Sequence, residues 1–241
     1  MHVVVINGSP KRDKSNTTWV LTPFLEGMKA AGAEVELFYT KDLDIKPCQG
    51  DFYCWLKNPG KCFQKDDMAM LLPKVAQADV LVLATPVYVD GISGPLKNLM
   101  DRMIPTALPF IELRDGHCRH LRHVNIENGK LVLVSNSGFW ELDNFDPLLV
   151  HMKAFCKNSG REFAGALLRP HGSALKMMMD AGAPVNDVFD AAREAGRQLV
   201  EEGAMSPETL LTVSRTLLPL EAFLQTLNQR FQAALDAAQR E

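Results

Sequence analysis

Two short stretches carry the side chains with chemistry to do. Ser9, Lys11, Ser15, Asn16 and Thr17, with Arg12 beside them, crowd hydroxyls, an amide and cations into one loop. The loop follows an apolar run over 3–6 that reads as a strand buried on both faces and a turn cluster, Asn7-Gly8-Ser9-Pro10. Ser15-Asn16-Thr17 then opens an amphipathic segment, with Ser or Asn as N-cap. Strand, polar loop and helix N-terminus in that order aim free backbone N–H groups and the positive end of a helix dipole at one spot, which suits an anion. The plainer alternative is an ordinary capped βα turn. Neither G-x-G-x-x-G nor G-x-x-x-x-G-K-[ST] is present, so the anion expected is a monophosphate. The second stretch holds Cys48, Cys54 and Cys62 within fifteen residues, which is thiolate chemistry. A third group, His117, Cys118, His120 and His123 among Arg114, Arg119 and Arg122, matches no closed structural zinc spacing. It reads as an exposed connection over 104–125, with a basic lip that would receive phosphates as the functional alternative.

The elements that must position these residues alternate. A helix is expected over 15–31, burying Val20, Phe24, Leu25 and Met28 and stopping at Gly32. Pro23, beyond its first turn, predicts a kink or a late start. An alternating run over 34–40 reads as an outer strand. Asp66-Asp67 caps a helix over 68–77, and residues 79–85 form a second fully buried strand. That strand leads into Pro86, Val87 and Tyr88, then Gly91 and Gly94, at the carboxyl end of a central strand where open α/β sheets bind ligands. Ser93 or Gly94 is the next cap, followed by Pro95 at N1. A strand over 130–136 ends in Ser137-Gly138-Phe139-Trp140, and a helix over 146–157 carries Cys156 as an inert buried thiol. A fifth strand over 162–168 runs into Arg169-Pro170-His171-Gly172, where His171 reads as structural rather than catalytic. Residues 186–202 are helical. In the tail from Ser206, Leu220, Phe223, Leu224, Leu227, Phe231 and Leu235 form an apolar stripe that suits either the domain's own core or another subunit.

Composition excludes several classes. The chain of 241 residues is 46% hydrophobic, enough for one substantial core. A net charge of -3 offers no general attraction to nucleic acid or to an anionic membrane. No run approaches the roughly 18 apolar residues of a membrane span, and no secretory leader pattern opens the chain. Five cysteines, an odd number, argue against a disulfide framework. A reducing cytoplasm is the expected compartment.

Gly8-Ser9-Pro10 and Ser15-Asn16-Thr17, taken with Thr85-Pro86-Val87-Tyr88, Leu96-Lys97-Asn98 and Asp101-Arg102, resemble the NAD(P)H-dependent FMN reductases of flavodoxin-like fold. The cysteine segment followed by Asp66-Asp67-Met68 resembles the iron–sulfur flavoprotein branch of that group. The resemblance implies a three-layer α/β fold with a five-stranded parallel sheet in order 2-1-3-4-5, spanning 1–203, and a helical C-terminal extension over 204–241. It implies that Ser9, Lys11, Ser15, Asn16 and Thr17 hold the FMN phosphate, that Pro86, Val87 and Tyr88 lie along the isoalloxazine, and that Ser137, Gly138, Phe139 and Trp140 meet its pyrimidine edge. No catalytic side chain is implied, because the flavin carries the chemistry. Electrons would pass from NAD(P)H through FMN to an unidentified acceptor, in a homodimer or higher homo-oligomer. The alternatives are an electron-transfer iron–sulfur flavoprotein without its own small substrate, and a non-redox module binding a phosphate-bearing ligand. The branch's cluster motif is C-x-x-C-x-x-C with a fourth Cys. Here Cys48, Cys54 and Cys62 align with three of the four ligands and Asp51 stands at the second, where a cluster prefers a soft thiolate. An unmetallated loop is therefore favoured over a cluster, and a cluster over zinc.

Overall fold

The computed structural model describes residues 1–123 and 129–239. In chain order the elements are β1 (His2–Asn7), α1 (Asn16–Ala30), β2 (Glu34–Tyr39), α2 (Tyr53–Leu56), α3 (Met68–Gln77), β3 (Val80–Pro86), α4 (Gly94–Asp101), β4 (Ala107–Arg114), β5 (His117–Arg122), β6 (Lys130–Asn136), α5 (Asp146–Ser159), β7 (Glu162–Arg169), α6 (Gly172–Asp180), α7 (Asn186–Glu201), α8 (Pro207–Ser214) and α9 (Leu220–Ala238). Five strands pair in parallel in the order β2-β1-β3-β6-β7. Counting only the strands of this sheet, that is 2-1-3-4-5, the flavodoxin-like order expected from the sequence.

The strands are apolar runs rather than alternating ones because both faces are covered. Val3, Val5, Val80, Val82, Val132 and Val134 join residues of α1, α6, α7, α8 and α9 in one core. Val4, Ile6, Leu81, Leu83, Leu131 and Leu133 join α3, α4 and α5 in the other. The edge strand β2 has no fully buried residue.

Helix α1 begins at Asn16 without delay and runs through Pro23, so the late start expected from that proline does not occur. Residues 107–122 correct a second expectation: they are a β-hairpin rather than an irregular exposed connection. Asp115 and Gly116 both take positive φ, 53° and 73°, which is the type I′ turn that Asp-Gly favours between antiparallel strands. Helix α6 had no counterpart among the expected elements; it starts directly from the loop after β7.

Helices α1 and α7 cross so closely that only glycine fits. A Cβ on Gly27 would lie 1.9 Å from the Arg193 carbonyl oxygen, and one on Gly196 would lie 2.0 Å from that of Phe24. Backbone cannot yield there as a side-chain tip can. Gly196→Ala should therefore destabilise the protein by at least the roughly 1–3 kcal/mol of an overpacked core, read as a lowered urea midpoint. An unchanged midpoint would show that the helices separate freely.

Candidate functional site

The parallel register places the carboxyl ends of β1, β3 and β6 side by side, with Asn7 opposite Ala84 and Pro86 opposite Asn136. Three loops leave from there and are laced together. Gly8 N donates to Ala84 O at 2.7 Å, and Ser93 Oγ donates to Gly8 O at 2.7 Å. A Cβ on Gly8 would lie 2.7 Å from that of Leu96, so glycine is what lets the first loop sit against the start of α4. Thr17 Oγ1 donates to Asn136 Oδ1 at 2.5 Å, joining α1 to the end of β6, and Val87 N donates to Asn136 O at 2.9 Å. Asn136 thus touches all three loops. Its signal in the sequence was an amide side chain closing the apolar run 131–134 after Ser135.

In the first loop the hydroxyls differ in what they have left to give. Ser15 Oγ caps α1 by accepting from Thr18 N at 3.3 Å. Thr18 Oγ1 donates its proton to Arg12 O at 2.8 Å, so the 2.8 Å contact between Ser15 Oγ and Thr18 Oγ1 engages the Ser15 proton. Thr17's proton is engaged by Asn136. Ser9 Oγ accepts from Lys11 N at 3.4 Å and keeps its own proton. The amides of Asn16 and Thr17 stand at the first two helical positions, ahead of any intrahelical carbonyl. Lys11 is exposed, whereas Arg12 is ion-paired with Asp42.

The second loop closes on itself. Tyr88 N donates to Gly91 O at 3.0 Å and Gly91 N to Tyr88 O at 3.1 Å, with Val89 and Asp90 between them at positive φ. A β-branched residue at φ 48° is strained, and Val89 is 99% exposed beside a half-exposed Tyr88. In the third loop, Phe139 is 66% exposed. Ser137 is buried and takes Phe139 N on its Oγ at 3.0 Å.

Trp140 and His171 hold the chain's last third to this loop. Trp140 Nε1 donates to Leu218 O at 2.8 Å, and its ring stacks on His171 at 6.1 Å. His171 Nε2 accepts from Leu217 N at 3.0 Å, which leaves Nδ1 as the protonated nitrogen facing Trp140 O at 3.3 Å. Burial, then the Arg169 charge, depress its pKa to about 4. Arg169, fully buried, donates to the carbonyls of Val213, Ser214 and Arg215 at the end of α8. Burial lowers its pKa to about 10, so it remains a cation at neutral pH. His171 is thus a positioning residue and engages both ring nitrogens in doing so. Leu217 and Phe223 are buried against the domain's core, whereas Phe231 and Leu235 lie exposed further along α9.

The cysteine segment lies elsewhere, along α4. Arg102 and Asp66 form a fully buried bidentate pair, at 2.5 and 3.1 Å, and Arg102 also donates to Lys46 O at 2.6 Å. Burial works to raise the Asp66 pKa, but the hydrogen bonds from Arg102, Lys46 N and Met68 N and the Arg102 charge together outweigh it, and the carboxyl is held low. Asp67 Oδ2 takes Asp44 N at 2.7 Å, so the two aspartates expected as helix caps also tie down the loop before the cysteines. Trp55 packs on the hairpin, its Nε1 donating to Ala107 O at 2.7 Å and its ring 4.8 Å from His120. Cys156 is buried, and burial pushes its thiol up to about 12, which makes it inert at neutral pH.

A doubly wound parallel sheet with a loop crevice at its topological switch point defines a flavodoxin-like protein. The family described as NADPH-dependent FMN reductase matches residues 1–121, and the chain belongs to that family. An iron–sulfur flavoprotein of Archaeoglobus fulgidus is 43% identical over 102 residues, covering 42% of this chain and 48% of the relative. One of Methanocaldococcus jannaschii is 39% identical over 110 residues, covering 46% and 55%. The chain therefore spans about half the length of the curated relatives it matches. Among solved structures, an NAD(P)H:quinone oxidoreductase from Methanothermobacter marburgensis superposes with a TM-score of 0.57 at 20% identity, over 83% of this chain and 96% of that one. An FMN-dependent NADH-azoreductase from Bacillus anthracis gives 0.60 at 16% identity, over 83% and 100%. At these identities the likeness is one of fold.

The cysteine segment does not fit the cluster named in the relatives. Cys48, Asp51, Cys54 and Cys62 line one cavity, but it encloses about 20 Å³, the room of about one water. Asp51 Oδ1 is engaged by Tyr53 N at 3.0 Å, at the start of α2. Burial, then the neighbouring Cys62, raise the Cys54 pKa and oppose the thiolate a metal needs. Among the described residues no group of three or more His, Cys, Asp or Glu is placed to hold a metal ion.

Two outcomes follow from this geometry. The unfolded chain protonates His171 near 6.5 and the folded protein near 4, so unfolding takes up a proton between those values. That contribution is fully present above pH 6.5 and is lost as the pH falls towards 4, by up to about 3 kcal/mol at 1.36 per pKa unit. Denaturant melts at pH 7 and 4.5 should show His171→Gln less stable at pH 7 and losing less on acidification; equal losses in both proteins would show that His171 is not held neutral. Separately, anaerobic reconstitution should leave the unmutated protein with well under one iron per chain by iron and acid-labile sulfide assay. Four irons per chain would refute this, and iron only in Asp51→Cys would locate the cause.

Proposed function

We propose that the protein is an FMN-dependent NAD(P)H oxidoreductase whose flavin site is the three-loop crevice. The observation that carries this reading is the convergence, at the ends of β1, β3 and β6, of a capped helix N-terminus with apolar and aromatic lips. FMN, when bound, would accept hydride from NAD(P)H and deliver its electrons to a small acceptor. The quinone and azo reductase activities in the names of the fold neighbours support an acceptor of that kind.

Ser9, Lys11, Ser15, Asn16 and Thr17 form the phosphate end, with divided roles. Ser9 Oγ, the Lys11 ammonium and the amides of Asn16 and Thr17 donate to the phosphate. Ser15 and the Thr17 hydroxyl keep α1 in place, because their protons are engaged within the protein. Pro86, Val87 and Tyr88 line one side of the ring, and Ser137, Gly138, Phe139 and Trp140 the other, with Phe139 opposite the Tyr88–Val89 turn as an apolar mouth for the acceptor. Residues 1–203 form the flavin-binding domain and 204–241 an extension. The exposed Phe231 and Leu235 of α9 support a homodimer. Among the described residues no helix is long and apolar enough to cross a membrane.

The phosphate end makes the test. FMN should bind at least tenfold more tightly than riboflavin, because charge-assisted hydrogen bonds contribute roughly 1.5–3 kcal/mol each. Ser9→Ala and Lys11→Ala should weaken FMN and leave riboflavin unchanged, whereas Ser15→Ala should lower the melting temperature, as loss of an N-cap costs about 1 kcal/mol. Flavin fluorescence quenching reads the first and thermal denaturation the second. Equal affinity for FMN and riboflavin would overturn the assignment.

A further inference from the structure

Cys48, Cys54 and Cys62 are all free thiols, the first exposed, the second buried and the third half-buried. The chain brings Cys48 and Cys62 together by pairing the segments that flank them. Asp67 N donates to Asp44 O at 3.0 Å and Asp44 N to Asp67 Oδ2 at 2.7 Å. Lys46 N donates to Asp66 Oδ2 at 3.1 Å, and Gln64 Nε2 to Pro47 O at 3.0 Å. Residues 44–47 therefore run against 64–67 in opposite directions, and Cys48 and Cys62 stand where that pairing opens. Between them the chain folds back on itself. Asn58 N donates to Tyr53 O and Gly60 N to Cys54 O, each at 3.0 Å, while Gly50 and Phe52 turn the chain at φ 68° and 53°. Both flanking thiols line the cavity of about 20 Å³, a space of about one water.

The three thiols differ in what surrounds them. Burial works to lower the Arg102 pKa, but the Asp66 hydrogen bond and then the Cys62 charge lead the interactions that hold it high. Asp66 and Lys46 O fix the guanidinium in place, so a cation stays beside Cys62, the setting in which a cysteine acts as a nucleophile. Cys54 lies deeper, and burial followed by the Cys62 charge keeps it protonated. A cluster needs four soft ligands and this segment lacks them. Exchange with a disulfide needs only two accessible sulfurs.

We propose that Cys48 and Cys62 are a redox modification site, a reversible dithiol–disulfide couple whose oxidant is a low-molecular-weight disulfide. The Cys62 sulfur attacks the small disulfide, displaces one small thiol and leaves a mixed disulfide. The Cys48 sulfur then attacks that of Cys62, a sulfur–sulfur bond forms within the chain, and the second small thiol leaves. Two electrons and two protons pass from the two cysteines to the small disulfide, which is thereby reduced. The bridge closes a loop of fifteen residues around α2. That loop carries Trp55, which packs on the hairpin at Ala107 O and His120.

The test equilibrates the full chain anaerobically in glutathione buffers with a chelator present, quenches with acid, alkylates the remaining thiols and maps them by mass spectrometry. In about a hundredfold excess of reduced over oxidised glutathione, both cysteines should be alkylated. In oxidised glutathione alone, Cys48 and Cys62 should be joined within one chain, with loss of both thiol hydrogens, and dithiothreitol should restore them. Cys48→Ser should trap the glutathione adduct on Cys62. Cys62→Ser should abolish the bridge, and Cys54→Ser should leave it intact. A bridge that uses Cys54, a bridge between two chains, or separate glutathione adducts on Cys48 and Cys62 in the unmutated protein would overturn the couple. So would thiols that stay free throughout.

Discussion

Burial of the β1–β3–β6 ladder on both faces is the constraint on which the rest depends. A strand with Val3, Val4, Val5 and Ile6 all fully buried must lie between two helical layers. Helices on both faces suit parallel strands joined by crossovers, which is how this sheet is built. Parallel strands then bring all their carboxyl ends to one edge, so three loops distant in sequence must meet. The meeting of the loops is a consequence of that geometry, and the hydrogen bonds of Gly8, Ser93, Thr17 and Asn136 tie them together.

A second dependence runs through a buried cation. Among the described residues Arg169 forms no ion pair with a carboxylate, and it donates instead to carbonyl oxygens at the end of α8. A helix C-terminus carries partial negative charge and unsatisfied acceptors, so the guanidinium and the helix end satisfy each other. His171, kept neutral beside that charge, takes the Leu217 amide and the Trp140 carbonyl. The last third of the chain is thereby fixed to the loop that carries Phe139. Arg102 does the corresponding work for the cysteine segment, through Asp66 and Lys46 O. In both places an arginine orders an irregular stretch that has little apolar surface of its own to bury.

Much of this was legible in the residues. The first loop's Gly8-Ser9-Pro10 and Ser15 cap, the buried strands and the Asp66-Asp67 helix start were all readable, because local propensity and tertiary context agree there. The hairpin was missed although Asp115-Gly116 announced it. Its strands carry charged and apolar residues without clean alternation, since one side faces a cavity and not a core. The late start expected from Pro23 fails for the opposite reason: packing of α1 against the sheet and α7 holds the helix through a residue that would interrupt an isolated one.

The sequence by itself determined which runs are buried strands and where most helices start, because hydrophobic periodicity and turn chemistry are local properties of the chain; the strand order came from the resemblance its loop motifs carry, and the β4–β5 hairpin and α6 came from the structure. Only the tertiary structure decided what each polar group is still able to do. Ser15 and Ser9 look alike in sequence, yet the proton of one is engaged by Thr18 and that of the other is not. His171 looks like a candidate acid or base, yet both its nitrogens are engaged. Arg161 and Arg119 look alike, yet one caps a helix while the other keeps a buried nitrogen without a partner. A donor's capacity depends on the acceptors within 3.5 Å of it, and those acceptors come from residues far along the chain that folding alone brings near.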